Sequence, residues 1–435
     1  MQDKKLFCLI GDPVSHSISP SMQNYAFKRS GLEAVYIAIR VKQADLGRYI
    51  GILKELDAKG MNVTMPHKIE VIGYLDELDK TAEKIGAVNT VVNENGTLKG
   101  YNTDASGVLE AMREAEGDFK GKRAIILGRG GMAKAVSFVL EEGGAETRML
   151  GRKEMKEEII EKELKNSDIV CNCTPVGMNG EPSPIPERLI ERNVLVVDAA
   201  YGFHKTNLIK EAERKGNRTV TGLQLLVRQG ANSFRLWTGL DPDRKGMMAS
   251  ALSRISDMKR GGLGNIYLIG FAGSGKSSSG RLIAKFLKRE FVDTDDQISR
   301  ELGIPAWKII DDKGEYEFRK MERCVIESIS KRKNAVVATG GGAVLSYGNI
   351  CNMKQSGSII LLNVSPSTVM ERLDGDSSHP LLRGMDGKTD PQKVIELIAN
   401  RKCYYDIAKD AEVETDGKGI DDLAQELVRV AGGLE

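Results

Sequence analysis

Ile266-Tyr267-Leu268-Ile269-Gly270-Phe271-Ala272-Gly273-Ser274-Gly275-Lys276-Ser277 reads as a buried strand, a glycine-rich turn and the first residues of a helix. The turn fits G-x-x-x-x-G-K-[ST] in full, a pattern in which backbone N–H groups cradle phosphates, the lysine reaches the β- and γ-phosphates and the last hydroxyl is offered to Mg2+. Gly273, Gly275, Lys276, Ser277 and Ser278 are therefore the expected ATP contacts, with Ser277 on the metal. A loop of this kind belongs between a strand and the N-terminus of a helix, so an α/β architecture with a parallel sheet is expected around it. A second cradle lies upstream, where Ala124-Ile125-Ile126-Leu127 runs into Gly128-Arg129-Gly130-Gly131-Met132-Ala133, a G-x-G-x-x-A string. Alone it also suits a tight strand–helix turn without a ligand. The next strand, Glu146–Leu150, ends in Gly151-Arg152-Lys153, where an NAD site would place an acidic residue on the ribose 2′-hydroxyl. Two cations there favour a 2′-phosphate, hence NADP(H), with Gly128, Gly130, Gly131, Arg152 and Lys153 as contacts; the plainer reading is two solvated surface charges.

At 435 residues the chain exceeds what one core supports, and two or three domains are expected. Lys and Arg number 63 against 61 Asp and Glu, which argues against a nucleic-acid or anionic-membrane partner. The apolar run Leu6–Ile10 is too short for a secretory h-region, and no segment suffices to span a bilayer, so a cytoplasmic setting is expected. Six cysteines make no disulfide framework, and Cys171-x-Cys173 lacks the partners of a zinc site. Strand-length apolar segments such as Ala34–Ile39, Val88–Val92, Ile169–Cys173 and Val194–Val197 alternate with amphipathic stretches, the mark of an α/β protein. One helix has both punctuation marks: Ser19 as N-cap followed by Pro20, and Gly31 past its end. Asn95-Gly96 reads as a two-residue hairpin turn. The polar, glycine-rich run 256–264 reads as a flexible connector, and the absence of a repeat makes the halves fused and not duplicated.

Upstream of the dinucleotide string lie polar groups of a substrate site: His16-Ser17-Ile18-Ser19, Asn62-Val63-Thr64-Met65-Pro66-His67-Lys68, Asn89 and Asn102-Thr103-Asp104. Hydride delivery to a ketone needs a proton for the new alkoxide, and Lys68 beside Asp104 is the candidate pair. Taken singly, Ser19 is accounted for by capping and Lys68 by solvent exposure. Together these motifs resemble the shikimate dehydrogenase family over about residues 5–255. The resemblance implies that Ser17 and Ser19 bind the substrate carboxylate, that Thr64, Asn89 and Gln229 contact the ring, that Lys68 and Asp104 form the acid/base pair, and that Gly222 lies near the nicotinamide. It also implies a substrate domain of residues 1–103 and 236–255, an NADP domain of 104–235 and a linker at 256–263. Two segments depart from the family pattern: Gly151-Arg152-Lys153 replaces Asn-Arg-Thr, and Gly202-Phe203-His204-Lys205-Thr206 is altered after Tyr201. A dehydrogenase that also takes quinate, with NAD, is the near alternative.

In the second half, Phe291-Val292-Asp293-Thr294-Asp295 leaves an apolar stretch with two carboxylates expected on one face of a strand end, or else serving as helix caps. Gly340-Gly341-Gly342 follows the strand Ala335–Ala338, while Arg319 and Arg401 are placed to grip a carboxylate. With the spacing taken whole, residues 264–435 resemble shikimate kinase, a small P-loop kinase. The resemblance implies that Asp293 lies near the metal, that Asp295 is the catalytic carboxylate, that Arg319, Arg401 and Gly340–Gly342 hold shikimate, and that Arg372 stacks on adenine. Its lid arginine is replaced here in His379-Pro380-Leu381-Leu382, leaving Arg383 or a protonated His379 to face the transferring phosphate. The whole chain then reads as a bifunctional enzyme using NADP(H), ATP and Mg2+ on two small molecules, 3-dehydroshikimate and shikimate. The alternative is a dehydrogenase whose kinase-like half only senses nucleotide.

Overall fold

The structure, a computed structural model, describes residues 4–14, 17–178, 181–190, 193–201, 205–259, 264–374, 379–384 and 388–432. It divides into two compact units, Leu6–Gly261 and Gly262–Glu435.

The first unit holds two sheets. Strands β1 (Lys5–Gly11), β2 (Ala34–Arg40), β3 (Gly60–Val63), β4 (Glu77–Leu78), β5 (Thr90–Glu94) and β6 (Thr97–Tyr101) are ordered β2-β1-β3-β5-β6-β4. β1 and β3 run parallel, whereas β5 is antiparallel to both β3 and β6. The β5–β6 hairpin turns through Asn95 (φ 54°) and Gly96 (φ 93°), the two left-handed residues that a two-residue turn requires. β7 (Arg123–Leu127), β8 (Glu146–Leu150), β9 (Ile169–Asn172), β10 (Leu195–Asp198) and β11 (Arg218–Thr221) form an all-parallel sheet ordered β11-β10-β9-β7-β8. The chain reverses direction across that sheet at β7, whose exit carries Gly128–Gly131, the place where open α/β sheets take ligands.

The helices Gly222–Thr238 and Arg244–Lys259 return to the first sheet, where Val227, Ala231, Phe234, Met247 and Ala251 bury against Phe7, Leu9 and Phe27. Leu223 and Leu226, in the first turns of Gly222–Thr238, pack against the same cluster. Two expectations are corrected. Residues 256–259 are not connector but the last turn of Arg244–Lys259, since no glycine or proline falls between Met247 and Lys259; 260–263 lie outside the described residues. Ser19 is not an N-cap: it is the first residue of the helix Ser19–Arg29, with Ile18 at the cap, and its N–H donates to Ser17 Oγ at 3.2 Å.

The second unit has one sheet, β12 (Asn265–Ile269), β13 (Glu290–Asp293), β14 (Ala335–Ala338), β15 (Gly357–Asn363) and β16 (Ala411–Glu414), ordered β13-β14-β12-β15-β16 with every neighbouring pair parallel. Ile266, Leu268, Val336, Ile360 and Leu362 are buried among the flanking helices, so the strands read as continuous apolar runs. Asp293 and Asp295 do not share a strand face as expected: Asp293 closes β13, while Asp295 sits in the first turn of the helix Thr294–Leu302. The chain switches from period 2 to period 3.6 between them because Asp293 caps that helix, accepting from the N–H groups of Asp295 and Asp296. Among the described residues no helix is long and apolar enough to cross a membrane.

Candidate active sites

In the first unit the polar cluster lies at the carboxyl ends of β1 and β3. The loops leaving these strands are stitched by the Asp12 N–H to Met65 carbonyl bond of 3.0 Å, and a side chain at Gly11 would collide with Thr64. Beyond Thr64 the chain turns through Pro66 and His67, whose buried ring lies 2.7 Å from the Val41 carbonyl, and delivers Lys68. Lys68 Nζ donates to Asp104 Oδ2 at 2.5 Å. Asp104 stands in the first turn of the helix Thr103–Glu116, whose N-cap Asn102 accepts from the Ala105 N–H at 3.1 Å. Asn89 Nδ2 ties the cluster together, donating to Asp104 Oδ1 at 2.9 Å and to Gln229 Oε1 at 3.2 Å. Beneath lies a network that the sequence does not announce. Asn62 Nδ2 donates to Thr90 Oγ1 and Ser233 Oγ, while Tyr36 OH donates to Asn62 Oδ1 at 2.7 Å. These groups are buried and satisfied, so they fix the floor that carries Asn89.

The expected residues thus assemble in two sets, Lys68, Asp104, Asn89 and Gln229 in one and Ser17 with Ser19 in the other. No hydrogen bond joins the two sets among the described residues, and His16 lies outside them. The stem of Lys68 packs against the glycine loop: a Cβ on Gly131 would lie 3.0 Å from Lys68 Cδ. The Lys68–Asp104 pair and the loop Gly128–Gly131 therefore lie side by side. Gly128 (φ 115°) turns the chain out of β7 with its own N–H on the Leu150 carbonyl, and Gly130 is the N-cap of the helix Gly131–Glu142, whose first turn leaves backbone N–H groups without intrahelical acceptors, so the loop fits a pyrophosphate. Gly222 opens its helix so close to β10 that a Cβ would come 2.6 Å from the carbonyls of Ala199 and Ala200. Arg152 and Lys153 are exposed on the loop after β8. In the altered segment after Tyr201, residues 202–204 are outside the described set, while Thr206 donates to the buried Asp198 at 2.5 Å.

In the second unit Gly273, Gly275, Lys276, Ser277, Ser278, Asp293, Asp295, Arg319, Gly340–Gly342, Arg372 and Arg401 all line a single cavity of about 840 Å³. Gly270, Gly273 and Gly275 have φ of 149°, 75° and 88°, conformations that other residues rarely adopt, and the helix Lys276–Leu287 starts directly behind them. Lys276 Nζ donates to the Phe271 carbonyl at 2.7 Å, and burial lowers its pKa to about 8. Ser277 Oγ donates to Asp293 Oδ2 at 2.6 Å, two hard oxygens whose placement suits Mg2+. Asp295 is pushed up to about 6, by burial first and by the neighbouring Asp293 second.

Gly340 is where two carboxylates converge, since a Cβ there would lie 2.9 Å from Asp295 Oδ1 and equally encroach on Glu322. Glu322, buried and pushed up to about 7 by that burial, accepts from Arg319 NH1 at 2.9 Å; its Oε1 has no hydrogen-bond partner. Arg319 also donates to Glu315 at 2.8 Å, and its guanidinium fills the volume a side chain on Gly342 would need. Arg401 is buried with Nε unpartnered and lies 5.6 Å from the Phe271 ring centroid. A buried orphan donor beside a polar cavity is what an anionic substrate would satisfy. Arg372 donates to the Gly273 carbonyl at 3.0 Å and to the Thr415 carbonyl at 3.0 Å. Of the lid, 375–378 and 385–387 lie outside the described residues; His379 lines the cavity, whereas Arg383 donates to Asp311 at 3.2 Å and stacks over Trp307.

Comparison with known proteins agrees with these geometries. Residues 9–91 match the model of the shikimate dehydrogenase substrate binding domain, 222–252 that of the shikimate 5'-dehydrogenase C-terminal domain, and 272–431 that of shikimate kinase. A shikimate dehydrogenase (NADP(+)) of Dehalococcoides mccartyi is 43% identical over 270 residues, covering 57% of this chain and 94% of its own. One from Thermococcus kodakarensis is 41% identical over 270 residues, covering 59% and 98%. The structure of a Thermus thermophilus shikimate 5-dehydrogenase in complex with NADP(H) and shikimate superposes with TM-score 0.53 at 38% identity, over 58% of this chain and 99% of that one. The chain belongs to the shikimate dehydrogenase family and carries, at residues 272–431, a shikimate kinase domain.

Proposed function

We propose that the protein performs two consecutive reactions: reduction of 3-dehydroshikimate to shikimate by NADPH, and phosphorylation of shikimate by Mg·ATP to shikimate 3-phosphate. The observation that carries this reading is the Lys68–Asp104 pair packed against one nucleotide loop, in a chain whose other unit sets a second nucleotide loop beside Asp295 and two arginines. The product of the first reaction is the substrate of the second.

In the first site NADPH supplies the hydride. Lys68 Nζ donates a proton to the oxygen that becomes the alcohol, and Asp104, itself oriented by Asn89, holds Lys68 in place. Ser17 and Ser19 receive the carboxylate, while Thr64, Asn89 and Gln229 meet the ring hydroxyls. In the second site Mg·ATP supplies the phosphoryl group. Asp295 accepts the proton of the attacking hydroxyl, and the proximity of its pKa to neutrality suits that role. Arg319 and Arg401 hold the carboxylate, Gly340–Gly342 admit the ring, and Lys276, Ser277 and Asp293 hold the phosphates and the metal. His379 faces the cavity and Arg383 is engaged with Asp311 and Trp307, which supports His379 as the lid group nearest the transferring phosphate. Substrate domain, NADP domain and kinase domain are read as residues 1–103 with 236–255, 104–235, and 264–435. The cosubstrates suit a cytoplasmic enzyme. The test is spectrophotometric: NADPH oxidation that depends on 3-dehydroshikimate, and ADP release that depends on shikimate, in the same preparation.

A further inference from the structure

Arg129 stands between two glycines of the dinucleotide loop, and Gly151 is the first residue past β8, the neighbouring strand. The two loops are joined by the Gly128 N–H to Leu150 carbonyl bond of 2.8 Å. A Cβ on Gly151 would lie 3.3 Å from both Cδ and Nε of Arg129, so the arginine stem lies across Gly151 at a distance that leaves a side chain there little room. Arg129 NH2 donates to Glu154 Oε2 at 2.7 Å, and the Gly151 N–H donates to the same oxygen at 2.8 Å. Arg148 NH2 stands 3.7 Å from the other oxygen, Oε1. One carboxylate thus gathers two guanidinium groups and a backbone N–H at the carboxyl end of β8. A dinucleotide's ribose 2′ substituent arrives at that strand end. The Glu154 carboxyl is held below its ordinary range, by the Gly151 N–H first and by Arg129 and Arg148 after it, so it is an anion at neutral pH.

We propose that Arg129, Arg148 and the Gly151 N–H form a seat for the cofactor's 2′-phosphate, and that Glu154 is an internal anion that keeps the seat assembled until the phosphate displaces it. The inference rests on the dehydrogenase reading and adds to Arg152 and Lys153 a selectivity device of this chain's own. A phosphate carries more charge than a carboxylate and offers three acceptor oxygens to a guanidinium fork, so it wins the exchange. A bare 2′-hydroxyl cannot displace the carboxylate, so NADH gains nothing from the seat.

The test is direct binding to the full chain, read from the fluorescence of NADPH and NADH in parallel titrations. Arg129→Ala weakens NADPH by roughly tenfold or more, the value of a charge-assisted contact, and leaves NADH within about twofold. Arg129→Lys, which keeps charge without the fork, falls between. Glu154→Gln tightens NADPH several-fold, with NADH unchanged. Equal loss for both cofactors in Arg129→Ala, or no loss, overturns the seat. Looser NADPH binding in Glu154→Gln overturns the displacement, because it shows that Glu154 only steadies Arg129. A native chain that binds both cofactors and reduces no 3-dehydroshikimate would instead count against the dehydrogenase assignment.

Discussion

Lys68 Nζ and Asp104 Oδ2 are 2.5 Å apart, with the carboxylate side chain 3% and the lysine side chain 17% exposed. A buried carboxylate paired this closely fixes the ammonium, while the lysine stem packs against Gly131 of the dinucleotide loop. Lys68→Ala and Asp104→Asn each lower kcat for 3-dehydroshikimate reduction by roughly 10²–10⁴-fold. Shikimate-dependent ADP release in the same variants stays within about twofold, since neither residue belongs to the unit that holds the P-loop. Steady-state rates of both reactions on each variant check this.

The kinase site stores unfavourable charge. Asp295 titrates near 6 and Glu322 near 7, both raised chiefly by burial. A carboxyl raised on folding contributes its stability below the unfolded value and loses it as pH rises through the folded one. Asp295→Asn therefore raises the unfolding midpoint of the kinase unit by a few degrees at pH 8 and by less at pH 5, while phosphoryl transfer falls by roughly 10²-fold or more. Calorimetry of the full chain at the two pH values measures the difference. The native enzyme's kcat for phosphorylation declines as pH falls through about 6, because Asp295 is then protonated.

Gly342 has no room for a methyl group, since the Arg319 guanidinium occupies that space. Gly342→Ala displaces Arg319 from Glu315 and Glu322 and raises KM for shikimate by roughly tenfold or more, with KM for ATP changed little. Initial rates against each substrate separate the two.

His379 lines the same cavity as Lys276 and Asp295, and the proposed reaction makes it the lid group nearest the transferring phosphate. His379→Ala lowers kcat by roughly tenfold or more, and His379→Arg at least restores the native rate and flattens its pH dependence between 6 and 8. Arg383→Ala, by removing a contact to Asp311 and Trp307, acts on stability more than on kcat. Rates of the three variants across pH decide between the two lid residues.

Legibility followed the range of the interactions. The P-loop was fully readable because strand, left-handed glycines and helix are contiguous, and so was the Asn95-Gly96 hairpin. The pairing of Lys68 with Asp104 was a chemical expectation that motif resemblance supported, since 36 residues separate them and only the packing of the helix Thr103–Glu116 brings them together. The Asn62, Thr90 and Ser233 floor stayed hidden because each is an ordinary polar residue, and the partners of Asn62 are 28 and 171 positions away. The misread Ser19 and the Asp293–Asp295 pair share a cause. Serine and aspartate favour helix starts without specifying which residue is the cap, and one residue of offset moves a side chain from strand face to helix turn. Arg129 and Glu154 carry no sequence signal, because 25 residues separate them and only the approach of the two loops at Gly151 brings them together.

The most direct measurement supplies the full-length chain with 3-dehydroshikimate, NADPH and Mg·ATP, and follows NADPH oxidation, ADP release and shikimate 3-phosphate together. The account predicts that shikimate 3-phosphate forms only when both cosubstrates are present, with omission of ATP leaving shikimate as the end product. Accumulation of shikimate without ADP release in the complete mixture would contradict it.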